Sequence, residues 1–137
     1  MNKVLGLDIG EKRIGIAVSD ALGWTAQGVE TYMRKGEGDA AYIAAKAKAL
    51  GASLIVAGLP LNMNGSEGPS ALNVRAFMSE VEALGFEIKF QDERLTTVSA
   101  ERMLIEADVS RKKRREVVDK LAAVYILGAY LDTHRIK

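Results

Sequence analysis

Hydrophobic positions along this chain change their spacing several times, and each change marks an element. Val4, Leu5 and Leu7 make a short apolar run that ends at Asp8, so Lys3 to Asp8 reads as a buried strand. Gly10 to Arg13 reads as a turn and Ile14 to Ser19 as the returning strand of a hairpin. Gly6, Gly10 and Gly15 within it imply close backbone approach or bending. Thr25 to Met33 reads as a third, weaker strand, and Arg34 to Gly38 as a loop. Asp39 is placed as the N-cap of a helix running to Leu50, with Gly51 as its stop.

Leu54 to Gly58 is continuously apolar, the pattern of a parallel strand covered on both faces. Leu59 to Gly68 reads as a loop rich in Asn and Gly. Pro69 or Ser70 then opens a helix to about Leu84, ended by Gly85, and Phe86 to Gln91 reads as the last strand. Thr96 or Thr97 caps a helix through about Ala107, Asp108-Val109-Ser110 breaks it, and a final helix runs from roughly Arg114 to Leu131. A hairpin followed by alternating strands and helices predicts an α/β fold, a five-stranded mixed sheet with helices on both faces. Residues 1–137 read as one domain, with no internal repeat or interdomain linker.

Composition narrows the chemistry. With no cysteine, disulfides, thiolate zinc sites and a cysteine nucleophile are excluded. Apolar residues at 48% and charged residues at 27% are ordinary for a globular protein, and a net charge of +1 selects no partner class. The chain enters a strand at once without the pattern of a signal peptide, and no apolar run reaches the ~18 residues of a membrane span. The expectation is a soluble cytoplasmic protein that does not engage a membrane.

Three acids stand where structure alone has little use for them. Asp8 ends the first strand, where open α/β sheets place ligands; it either serves a site or caps the Asp-Ile-Gly turn. Asp119 shares a helix side with Ala122, Ala123, Ile126 and Tyr130, and the opposite side is apolar too, so that helix reads as buried. Its alternative role is a first-turn acid favoured by the helix dipole. Glu93 follows the last strand, with Asp92 as a rival, since neighbours on a strand point to opposite faces. Buried acids must be neutralised, paired or bound to a cation, and three that converge suit magnesium or manganese.

Around them lie candidate grips for an anionic substrate. The loop containing Asn62, Asn64, Gly65 and Ser66 follows a strand and allows backbone amides to approach phosphate. Arg94 either pairs with an acid or grips phosphate, and Thr96 either caps its helix or bonds a ligand. The dense basic run Arg111-Lys112-Lys113-Arg114-Arg115 is either a phosphate grip or a solvated helix start. His134 and Trp24 carry no chemistry in this reading; Trp24 and the scattered Met residues read as packing or loop anchors.

Gly6-Leu7-Asp8-Ile9-Gly10, Gly58-Leu59-Pro60-Leu61-Asn62-Met63-Asn64-Gly65-Ser66-Glu67, Asp92-Glu93-Arg94-Leu95-Thr96-Thr97 and Val118-Asp119-Lys120-Leu121-Ala122-Ala123 together resemble the YqgF (RuvX-like) family over essentially the whole chain. Asn64 stands where some relatives have Asp, and Ser66 where some have Thr. The resemblance implies a ribonuclease H-like fold related to Holliday junction resolvases. It also implies a part in maturing the 5′ end of pre-16S ribosomal RNA. Asp8, Glu93 and Asp119 become metal-ligating catalytic acids for Mg2+, with Mn2+ as a substitute. The implied partner is nucleic acid, foremost precursor ribosomal RNA, with ribosome-assembly particles as a setting and a monomer or homodimer as the working form. Competing readings are a resolvase acting on branched DNA and a non-catalytic nucleic-acid-binding module. An actin-like kinase would share the Gly6 to Gly10 motif but needs two such domains.

Overall fold

The computed structural model describes residues 3–92 and 111–134, with side chains described over 3–92 and 120–133. Among them are strands β1 (Lys3–Ile9), β2 (Arg13–Ser19), β3 (Ala26–Met33), β4 (Ala52–Leu59) and β5 (Glu87–Asp92), and helices α1 (Asp39–Leu50), α2 (Pro69–Ala83) and α3 (Arg111–His134). The helix expected over 96–107 and the break at Asp108-Val109-Ser110 lie outside the described residues.

The strands form one sheet in the order β3-β2-β1-β4-β5. β1 pairs antiparallel with β2 and parallel with β4, and β4 pairs parallel with β5, so the sheet is mixed as expected. The carboxyl ends of β1, β4 and β5 therefore reach the same edge. α1 and α2 cover one face, over a core that includes Leu5, Leu7, Ile55, Ala57, Ile43, Phe77 and Met78. α3 covers the other, packing Ala123, Ile126, Leu127 and Tyr130 against Val4, Ala17 and Val56. Both faces of β1 and β4 are thus buried, which is why their sequences are continuously apolar rather than alternating.

α3 approaches β1 closely at one point. A Cβ added at Gly6 would stand 2.7 Å from Leu127 Cβ and 3.2 Å from the Ala123 carbonyl oxygen. Glycine is the only residue that fits the space. α3 begins at Arg111, earlier than the expected Arg114, so the basic run forms its first turns.

The N-cap of α1 is a correction. Gly38, at φ 85°, holds that position, and Asp39 is the first helical residue. The Asp39 carboxylate turns back to organise the loop before it. It accepts from the Lys35 and Gly36 amides at 3.0 and 3.1 Å, from Tyr32 Oη at 2.9 Å and from Arg34 Nε at 3.1 Å. Asp39 is 1% exposed. Burial alone would raise its pKa, but these donors outweigh it and hold the group down to about 2. A depressed carboxylate stabilises the fold above its unfolded pKa and loses that contribution as pH falls toward the folded value. Wild-type stability should therefore fall by about 2 kcal/mol from this group between pH 4 and pH 2. Urea unfolding across that range should show a shallower decline in Asp39→Asn.

Candidate active site

Asp8 lies half-buried near the carboxyl end of the central strand. Leu5 and Leu7 face the α1–α2 core, while Val4 and Gly6 face α3, so alternation puts Asp8 on the α3 side. Its cross-strand neighbours share that side. Asp8 opposes Gly15, and Gly15 opposes Thr31. On the other flank, Leu7 aligns with Ala57, and the next residue of β4, Gly58, opposes Gln91. Asp8 thus stands between two glycines in that row. Glycine inside a strand often marks close approach by a ligand or another backbone. Gly58 is the part of this arrangement that reading the sequence did not single out, because in a continuous apolar strand it resembles filler.

Strand parity places Asp92, the last residue of β5. Ile88 and Phe90 pack on the α1–α2 core, and Asp92 shares their parity, opposite to Asp8. Asp92 aligns with Leu59, itself in that core. Glu93, Arg94 and Thr96 lie outside the described residues. Asp119, Arg111, Arg114 and Arg115 lie on the described backbone of α3, and their side chains are not among those described. Among the described residues no three acids or histidines are grouped closely enough to hold a metal ion.

The loop after β4 is more ordered than an Asn/Gly stretch suggests. Leu61 and Glu67 form a bridge, and Asn62 N donates to Ser66 O at 2.8 Å, making a small closed hairpin. Asn64 Oδ1 accepts from Ser66 N at 3.0 Å and from Ser66 Oγ at 2.6 Å, and Asn62 Nδ2 donates to Ser66 Oγ at 2.9 Å. Gly65 takes φ 86° at the tip, a conformation that favours glycine. The polar side chains put forward as substrate contacts therefore shape the loop first. Glu67 ties its end to α2 through a two-pronged pair with Arg75, at 2.7 and 2.8 Å, and Arg75 lies 4.8 Å over the Phe90 ring. The hydrogen bond from Arg75 lowers the Glu67 pKa against the opposing pull of burial. Met63 is left 74% exposed on this loop.

A groove of about 970 Å³ opens beside Asp8, between the β1–β2 turn, the end of β3 and α2. Arg34, Ser70, Asn73 and Phe77 line it. None of these was legible as a site residue, since Arg34 sits in an unremarkable loop and the others in an ordinary amphipathic helix. Because the loop 62–67 is exposed, Asn64→Ala should change global stability by less than about 1 kcal/mol. Limited proteolysis should nonetheless cut that loop faster than in the wild type; equal cutting would mean that the Asn64 bonds do not order it.

A parallel-antiparallel sheet of this order, with an acid at the end of β1 and helices on both faces, defines an α/β protein of the ribonuclease H-like class. Thermus thermophilus RuvC in complex with a Holliday junction substrate superposes with a TM-score of 0.58 at 13% identity, covering 98% of this chain and 99% of that one. A second structure of that RuvC gives 0.51 at 14% identity, covering 96% and 97%. The sequence pattern of the RuvX family, described as Holliday junction resolvase, matches residues 2–133. The chain belongs to the RuvX family. Relatives include a Syntrophomonas wolfei protein, 54% identical over 95% of this chain and 94% of its own length. Another, from Halalkalibacterium halodurans, is 55% identical over 98% and 99%. Both are provisionally named pre-16S rRNA nuclease.

Proposed function

We propose that this RuvX-family nuclease hydrolyses phosphodiester bonds of precursor 16S ribosomal RNA in the cytoplasm, using Asp8, Glu93 and Asp119. The observation that carries the reading is the position of Asp8, half-buried between two strand glycines at the carboxyl edge of the sheet. An ionised carboxylate only accepts hydrogen bonds, and a partly buried one is stabilised by donors, by a paired charge or by a bound cation. Asp8 therefore fits a hard cation, with room over its glycine neighbours for a sugar–phosphate chain to approach.

Two further facts support the other acids. Moving back along α3, Leu131 lies 3.9 Å from the Cβ position of Gly23, beside the amino end of β1, and Leu127 and Ala123 lie against Gly6. One more turn back is position 119, and two residues on from Gly6 is Asp8, so the two progressions run the same way. The parity of Asp92, on the far face, favours its neighbour Glu93 over Asp92 as the second acid. These carboxylates would hold Mg2+, or Mn2+ in its place, which would supply an activated water and charge neutralisation for the leaving oxygen. Hydrolysis of this kind leaves a 5′ phosphate and a 3′ hydroxyl. Arg94, Thr96, the loop at Asn62, Asn64, Gly65 and Ser66, and the run containing Arg111, Arg114 and Arg115 hold the polyanion. Arg suits two-pronged contact with phosphate better than Lys. No helix among the described residues is long and apolar enough to cross a membrane.

The second reading is cleavage of branched DNA, favoured by the description of the family. Purified protein should be offered a pre-16S RNA fragment and a four-way DNA junction side by side, with Mg2+ and with Mn2+. RNA cleavage that is lost by at least about a hundredfold in Asp8→Asn, Glu93→Gln and Asp119→Asn, and retained in Asp92→Asn, is the expected result. Cleavage of the junction alone would transfer the activity to DNA, and wild-type rates in Asp119→Asn would remove that acid from the chemistry. Affinity should fall steeply with salt; a flat response would exclude the basic run as the main grip.

A further inference from the structure

Arg34 leaves the end of β3 at the rim of the groove beside Asp8, and its guanidinium is fixed from three directions. Nε donates to Asp39 Oδ2 at 3.1 Å, Nη1 donates to the Gly10 carbonyl at 2.9 Å, and the guanidinium carbon stands 5.0 Å from the centre of the Phe77 ring. These contacts use two edges and one face of a planar group. Phe77 beneath it is 4% exposed, whereas the Arg34 side chain keeps 25% exposure. Both line the groove, and the guanidinium face turned away from Phe77 takes no part in these three contacts. A fixed guanidinium plane is a surface on which nucleobases stack. Ser70 and Asn73 sit three residues apart on α2, hence on one side of that helix, and line the same groove. Its volume of about 970 Å³ is ample for one nucleotide.

We propose that this groove takes one unpaired nucleobase of the substrate, stacked on the open face of Arg34 and met at its edge by Ser70 and Asn73. The proposal rests on the nuclease reading: the groove lies on the α1–α2 side and reaches Asp8 at the carboxyl edge of the sheet, so a strand that crosses that edge would meet both the groove and the acid. The charges favour a base over a phosphate. Nε and one Nη1 proton of Arg34 are committed to Asp39 and Gly10, and Lys12 in the lining is offset by Glu11 and Glu80. A phosphate there would meet three carboxylates, those of Asp8, Glu11 and Glu80, whereas a neutral ring is not repelled by them.

The test uses single-stranded RNA oligonucleotides that carry one abasic nucleotide at successive positions. Affinity is read by fluorescence anisotropy and cleavage with Mn2+, on wild type and on Asn73→Leu and Ser70→Leu, which fill the groove from exposed sites on α2. One abasic position at a fixed offset from the cut should weaken wild-type binding about tenfold. That penalty should shrink to less than twofold in the leucine variants, with melting curves unchanged. Binding of the parent oligonucleotide with no penalty at any position would overturn the base subsite and leave the nuclease reading standing, as would a penalty of equal size in wild type and variants. If the parent oligonucleotide is neither bound nor cut, the nuclease reading on RNA fails and the subsite with it.

Discussion

The contact between α3 and the bare backbone of β1 at Gly6 is the constraint on which the rest depends. With Leu127 Cβ only 2.7 Å from where a side chain would begin, the helix lies as near the strand as atoms allow. That closeness fixes α3 in height and register over the α3-facing side of β1. The next residue of β1 on that side is Asp8. A helix held away by larger side chains would leave the end of β1 uncovered and Asp8 simply solvated.

Smaller devices hold the rim of the same edge. Asp39 gathers four donors and, through Arg34, reaches the Gly10 carbonyl, so the end of β3, the start of α1 and the β1–β2 turn are tied together. On the other flank, Glu67 and Arg75 fasten the β4–α2 loop to the helix, and Arg75 lies over Phe90 of β5. Every connection that borders Asp8 among the described residues is anchored by a charged pair or by side-chain to backbone bonds. Positions that must be kept within fractions of an ångström for chemistry are built this way.

Much of this was legible in the sequence because apolar periodicity reports burial. The continuous runs at Val4 to Leu7 and Leu54 to Ala57 announced strands covered on both faces, and the alternation of strands and helices gave the mixed sheet. Among the described elements, ends moved by a few residues, as with β5 beginning at Glu87 and α3 at Arg111. Asp39 was misplaced as an N-cap because side-chain type alone does not say which backbone amides a carboxylate will reach; here they precede the helix. Asn62, Asn64 and Ser66 read as ligand contacts, yet their hydrogen bonds close their own loop, a partition that pattern cannot show. Arg34 was invisible for another reason. Its role comes from Asp39, Gly10 and Phe77 meeting in space, and nothing in their spacing along the chain announces it.

The central claim is that Asp8 anchors divalent cations at the carboxyl edge of the sheet. Paramagnetic line broadening by Mn2+ reads this directly. Substoichiometric Mn2+ should first broaden the backbone amide signals of Asp8, Gly15 and Gly58, and Asp8→Asn should abolish the effect at equal metal concentration. Broadening centred elsewhere on the molecule, or unaltered in the Asp8 variant, would contradict the account.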